Sequence, residues 1–329
     1  MTDPFAGTRA LVTGGLGFIG SSLARALHAR GAQVTVCDAR IEGQGANPFN
    51  LEGIGPGVDV RAVDVRDQDA LCKLVAGCQW IFHCASQTCH VKSFEDPRPD
   101  VDLTIGGTTS LAEACRHASP DAVLVRTGTR GQYGKPRTLP VSEEAPSEPR
   151  GIYEIAHLSA ELILLAYRHN HGLKVVLPRL TNVYGPRAQM RHSGYGVVNW
   201  FVRLALEGRP IPVFGDGRIL RDFLYVDDCV EALLCLAACP QAVGEVVNVG
   251  HDAASDFRTV AELLCRMVEG ARWEPAPFTP ERQAQEPGDF YTDWSKLHKL
   301  TGWEPSTPLE PGLRRTVEYY RRHRARYWP

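Results

Sequence analysis

Short apolar runs that alternate with helix-length amphipathic stretches predict an α/β fold built on a doubly wound parallel sheet. A glycine-rich turn between the first run and the first helix supports the same class. The runs fall at residues 9–12, 33–37, 58–63, 80–83, 122–126 and 174–177, and most are rich in Val, Ile or Leu, as strands buried on both faces require. Arg9-Ala10-Leu11-Val12 reads as the first strand and residues 21–30 as the amphipathic helix after it. Beyond Pro186 the rhythm loosens, with a helix at about 197–207, β pieces at 211–214 and 246–249, and helices near Thr259 and Pro311. Two loop-rich stretches, 136–150 and 187–196, are expected to rim a cleft. These breaks divide the chain into a Rossmann domain, 1–178 and 222–256, and a smaller C-terminal α/β substrate-binding region, 179–221 and 257–329.

Composition narrows the function classes. The 329 residues carry 36 Lys and Arg against 38 Asp and Glu, so no general basic face is available for nucleic acid. The run Arg321-Arg322-His323-Arg324-Ala325-Arg326 reads as cations at the negative end of a terminal helix. No stretch is apolar for long enough to span a bilayer, and the first strand begins almost at once without a signal-peptide profile, so a cytoplasmic protein is expected. The ten cysteines are scattered, and Cys72, Cys115, Cys235 and Cys265 fall in helix-like apolar patterns that suit reduced core residues. Cys84, Cys89 and His90 lie close together but lack the paired spacing of a structural zinc site, so no metal is expected.

The turn itself, Thr13-Gly14-Gly15-Leu16-Gly17-Phe18-Ile19-Gly20, has the form of a dinucleotide phosphate site at a helix N-terminus. Gly14 permits the tight turn, Gly17 lets backbone N–H groups approach a pyrophosphate, and Gly20 allows close helix–strand packing, with Phe18 and Ile19 in the same first turn. The second strand ends at Asp38, about twenty residues on, where a carboxylate can accept from ribose hydroxyls. Asp38 favours NAD over NADP, although Arg40 nearby could accommodate a ribose phosphate.

Further motifs extend over nearly the whole chain. They are Val63-Asp64-Val65-Arg66-Asp67, His83-Cys84-Ala85-Ser86-Gln87, Tyr133-Gly134, Arg179-Leu180-Thr181-Asn182-Val183-Tyr184-Gly185-Pro186, and Gly215-Asp216-Gly217 leading to Arg221-Asp222-Phe223-Leu224-Tyr225-Val226-Asp227-Asp228. With the glycine turn, they make the chain resemble the extended short-chain dehydrogenase/reductases of the nucleotide-sugar epimerase/dehydratase family. The resemblance implies that Asp64 and Val65 hold the adenine, that Ala85 and Pro178 belong to the cofactor channel, and that Thr129 hydrogen-bonds the reacting sugar hydroxyl. It implies that Tyr153 is the general base. The family places a lysine four residues later to lower the tyrosine pKa and bind the nicotinamide ribose; this chain has His157. His157 is read as a working substitute, the alternatives being another base such as His90 or an impaired site that only binds.

On the substrate side the resemblance assigns Asn182 and Arg221 to a nucleoside diphosphate, although Arg221 could instead pair with Asp222 or Asp227. Cys89 and His90 would lie near the sugar, Val197, Val198 and Val213 would wall the nucleotide base, and Asp289 closes the segment Glu286-Pro287-Gly288-Asp289. Glu286 stands where a second phosphate arginine is usual, and Arg282 could replace it. Dehydratases of the family carry Asp-Glu after the position of Thr129, whereas this chain has Arg130-Gly131. The implied activity is therefore NAD-dependent 4-epimerisation of a UDP-hexose or UDP-uronic acid. The alternatives are decarboxylation or dehydration with relocated groups such as Glu154, Cys89 or His90, and a catalytically impaired binding protein. Helices near 108–116 and 156–167 resemble the pair through which the family forms homodimers.

Overall fold

The computed structural model describes residues 3–89, 92–192, 194, 196–251, 253–278, 283 and 286–328. In chain order its elements are β1 (Arg9–Thr13), α1 (Phe18–Ala29), β2 (Gln33–Cys37), β3 (Val58–Arg61), α2 (Gln68–Val75), β4 (Trp80–His83), α3 (Lys92–Glu95), α4 (Gly107–Ala118), β5 (Val123–Arg126), β6 (Gly128–Thr129) and α5 (Ile152–His171). Then follow β7 (Lys174–Leu180), β8 (Asn182–Tyr184), α6 (Val197–Leu206), β9 (Ile211–Phe214), β10 (Leu220–Tyr225), α7 (Val226–Ala238), β11 (Val246–Val249), β12 (Ala254–Asp256), α8 (Phe257–Met267), β13 (Trp273–Ala276), α9 (Ser295–Thr301) and α10 (Leu309–His323).

The main sheet runs β11-β7-β5-β4-β1-β2-β3, with β6 also on β7, and its pairings are parallel. The order folds outward on both sides of β1, so the carboxyl ends of β1 and β4 border the crevice where such sheets bind ligands. Side-chain alternation within β1 explains the two cores. Ala10 and Val12 face the layer of α1 and α7 with Leu23, Leu27 and Leu233, while Leu11 faces the opposite layer with Leu111, Leu124 and Leu164.

Helix α1 begins at Phe18, three residues ahead of its sequence expectation, because Gly17 serves as its N-cap. This brings Phe18 and Ile19 into the first turn. Strand β3 stops at Arg61 rather than at 63, whereas β7 continues past 177 to Leu180, through Pro178. Leu177 donates its N–H toward Glu245 on the β11 side. The ring nitrogen of Pro178 therefore faces the other side, where β5 has ended and β6 begins, so no ladder bond is lost.

The second half adds a three-stranded sheet, β12-β10-β8, and the pair β13-β9. A separate core forms there from α6, α8 and α10 around Phe201, Phe223, Leu264 and Tyr320. Helix α10 ends in Arg321, Arg322 and His323, as the negative end of a helix favours. All ten cysteines are free thiols. Among the described residues no helix is long and apolar enough to cross a membrane.

Candidate active site

The glycine turn forms one end of an open cleft at the carboxyl edge of the sheet. Gly14 has φ +66°, and a Cβ there would lie 2.8 Å from the Ala85 nitrogen, so this glycine is required by both conformation and space. A Cβ on Gly20 would lie 2.3 Å from the Gly14 carbonyl, which fixes the close helix–strand approach. Gly17 is different. Among the described residues a Cβ there would meet only the Gly14 carbonyl, at 3.2 Å, and no side chain caps the helix, leaving the first-turn N–H groups available to an anion.

Asp38 follows β2 directly and accepts hydrogen bonds from Leu16 N at 3.0 Å and Arg40 N at 2.8 Å, which fixes the carboxylate beside the turn. Asp64 receives Arg66 Nε at 2.9 Å and a guanidinium nitrogen at 2.7 Å; this hydrogen-bonded pair holds its carboxyl below the usual range. Val65 and Ala85 also line the cleft. A dinucleotide fits this set: a capless helix start, a carboxylate on the cleft at the end of β2 and an apolar channel. Gln44, Leu103, Thr127 and Leu180 also line the cleft, and sequence spacing gave no sign of them.

Helix α5 places Tyr153 and His157 one turn apart on the face that closes the cleft, with ring centroids 4.5 Å apart. Thr129, the N-cap of a short 3-10 turn, hydrogen-bonds the Tyr153 side chain. Burial and then the neighbouring Glu154 push the Tyr153 phenol above its ordinary range; Arg126 pulls in the opposite direction.

His157 is buried, and Arg126 donates to its carbonyl at 3.2 Å and to its Nδ1 at 3.1 Å. Burial first, and the Arg126 charge second, hold the imidazole well below its ordinary range, so it is neutral at pH 7. His157 is thus not a cation in place of lysine. A guanidinium only donates, so Nδ1 is the acceptor and the ring proton sits on Nε2, beside the Gln87 carbonyl.

On the substrate side, Arg130 extends from the turn after Thr129 to Asn182, donating from Nε to Oδ1 at 2.7 Å, and its guanidinium lies 5.0 Å over the Phe290 ring. Burial and Arg221 lower its pKa to about 10, which leaves it charged at neutral pH. Arg221 pairs with neither Asp222 nor Asp227: it donates to Glu286 at 2.5 Å and to the Leu220 and Gly288 carbonyls, while its buried Nε has no partner among the described residues. Asp222 instead accepts from Thr181 and the Thr292 amide. Asp227 faces Arg187.

Several expected residues lie elsewhere. Pro178 is inside the sheet, and Leu180 reaches the cleft in its stead. Val198 and Val213 are buried in the second core behind the cleft, because an apolar pattern fits a core as well as a wall; Val197 is only partly covered. The Cys89 side chain is buried, and its neighbour Thr88 lines the cleft. Asp289 is exposed and accepts from Leu220 N at 2.9 Å. His90 and Arg282 lie outside the described residues. Arg126 was not singled out by sequence; its one signal is an arginine ending the otherwise apolar strand Val123-Leu124-Val125.

The sequence profile of the NAD dependent epimerase/dehydratase family matches residues 10–250. A UDP-glucose 4-epimerase of Mycolicibacterium smegmatis is 34% identical over 318 residues, covering 95% of this chain and 98% of that protein. A dTDP-glucose 4,6-dehydratase of Streptomyces niveus is 32% identical over 98% of this chain and 95% of its own. The structure of a UDP-glucuronic acid 4-epimerase from Bacillus cereus, in complex with UDP-glucuronic acid and NAD, superposes with a TM-score of 0.86 at 28% identity, covering 95% of this chain and 99% of that one. The chain belongs to the NAD dependent epimerase/dehydratase family of extended short-chain dehydrogenase/reductases.

Proposed function

We propose that this protein is a nucleotide-sugar 4-epimerase acting on a UDP-linked hexose or uronic acid. The observation that carries this reading is the pairing of Thr129 with Tyr153 at the cleft, followed by Arg130-Gly131 where a dehydratase would need an acid and a base. Tyr153, as phenolate, takes the proton from the C4 hydroxyl while Thr129 holds that oxygen by a hydrogen bond. NAD, when bound, accepts the hydride from C4 and returns it. Once the ketone has turned its other face, Tyr153 gives the same proton back to the oxygen, so the step is balanced without solvent. Asn182 and Arg221 would hold the diphosphate, with Arg130 beside them.

The sheet with α1, α5 and α7 would serve the cofactor and the second core the nucleotide sugar, dividing the chain at 1–178 and 222–256 against 179–221 and 257–329. We infer also that the protein is a homodimer, since Ile155 and Leu162 on α5 are 45% and 56% exposed on the helix that the family pairs.

Dehydration is the second reading. Glu154 favours it, because its Cγ would lie 2.6 Å from a Cβ on Gly131 and burial raises its carboxyl, giving one candidate acid beside the vacant positions. Incubating the protein with NAD and a panel of UDP- and dTDP-linked sugars in deuterated water, followed by proton NMR, separates the two. Inversion at C4 with no deuterium gained supports epimerisation. Deuterium at C5, or a lost carboxylate, overturns it in favour of dehydration or decarboxylation.

A further inference from the structure

We propose that Arg126 holds the positive charge against which the Tyr153 phenolate forms, with neutral His157 as the link that positions it, so that two residues divide the work one lysine does in the family pattern. The inference rests on Tyr153 being the base, and not on which sugar reaction follows.

Arg126 ends β5 at the carboxyl edge of the sheet, paired in register with His83, and is 2% exposed. Its guanidinium donates to the His157 carbonyl at 3.2 Å and to Nδ1 at 3.1 Å, clamping the helix turn that also carries Tyr153. Among the described residues it forms no ion pair with a carboxylate. Glu161, which acts on it electrostatically, is held by Arg179 at 2.6 and 3.0 Å. A buried guanidinium without a carboxylate is costly to maintain. The anion that would balance it is the one that forms on Tyr153 during turnover.

The remaining neighbours leave that role to Arg126. Around Arg126, His83 is neutral because burial lowers it to about 3, and Cys84 stays a thiol because burial raises it to about 12. Around Tyr153, Glu154 and Asp100 act against the phenolate, and among the charged groups of the described residues Arg126 is the one that favours it. His157, fixed as the Nε2–H tautomer, has its remaining donor buried beside the Gln87 carbonyl. The charge, which a lysine would supply from α5, here comes from β5.

Nitrogen NMR of the full-length protein with labelled histidine, with and without NAD, tests this directly. His157 is expected neutral, protonated at Nε2, across the neutral pH range; an imidazolium there would overturn the proposal. In Arg126→Met the imidazole is expected to move toward its ordinary titration range, and the ascending limb of the kcat profile, which the phenolate sets, to shift up by about one pH unit, roughly ten-fold less phenolate at a given pH. Arg126→Lys should stay near wild type, and Arg126→Met with His157→Lys should bring the limb back. An unmoved limb in a folded, NAD-binding Arg126→Met protein would overturn the assignment. Should Arg126→Met not fold, the wild-type imidazole measurement decides alone.

Discussion

Glu286 occupies the place of a phosphate arginine yet does something definite with it: its carboxylate holds Arg221 at 2.5 Å and accepts the Gly288 amide at 3.2 Å. The guanidinium suited to a diphosphate is therefore engaged by an acid. Glu286→Gln should lower KM for the nucleotide sugar severalfold with kcat little changed, as steady-state kinetics would read; a raised KM would mean that Glu286 orients Arg221 rather than competing for it. The pH profile follows from Tyr153, whose working form is the phenolate. Because burial, then Glu154, raise its pKa, the active fraction is small at neutrality and grows with pH, so kcat/KM should climb through the mildly basic range. No loss of activity should accompany the passage through about pH 6.5, since His157 is already neutral there. Tyr153, Thr129 and His157 were singled out because they stand at positions matching the family's motif, with Tyr153 and His157 one helical turn apart. The state of His157 was not legible, because Arg126, which lies 31 residues away, sets it together with burial.

The glycine turn separates what folding requires from what binding requires. Gly20→Ala would press a methyl onto the Gly14 carbonyl, 2.3 Å away, and should cost about 1–3 kcal/mol of stability in denaturant unfolding. Gly17→Ala meets far less protein and should leave stability nearly unchanged, yet weaken NAD at least ten-fold by calorimetry as the methyl crowds the phosphate path. Equal effects of the two substitutions would contradict this division. The parallel strands were readable because burial on both faces leaves continuous apolar runs. Strands β8 and β12 were not, since three residues each are too short to show a pattern, and in β10 Arg221 and Asp222 interrupt the run before Phe223-Leu224-Tyr225. Val198 and Val213 illustrate the same limit, because hydropathy reports burial without saying whether protein or ligand covers the side chain.

For the whole molecule, the exposed apolar side chains of α5 predict how copies associate. Sedimentation should find a dimer that Ile155→Asp with Leu162→Asp converts to a monomer; an unchanged mass would move the interface elsewhere. Both residues lie on the same helix as the Tyr153–His157 pair, so the dissociated form should also lose activity. The class of the fold and the cofactor cleft could be read from sequence because a few glycines and one acid fix them, whereas the reaction depends on side chains gathered from β5, α5, β8 and β10. The most direct measurement uses a UDP-sugar carrying deuterium at C4. Epimerisation through the Tyr153 site predicts that the label remains on C4 of both epimers after equilibrium; its appearance at C6 or its loss to solvent would contradict the account.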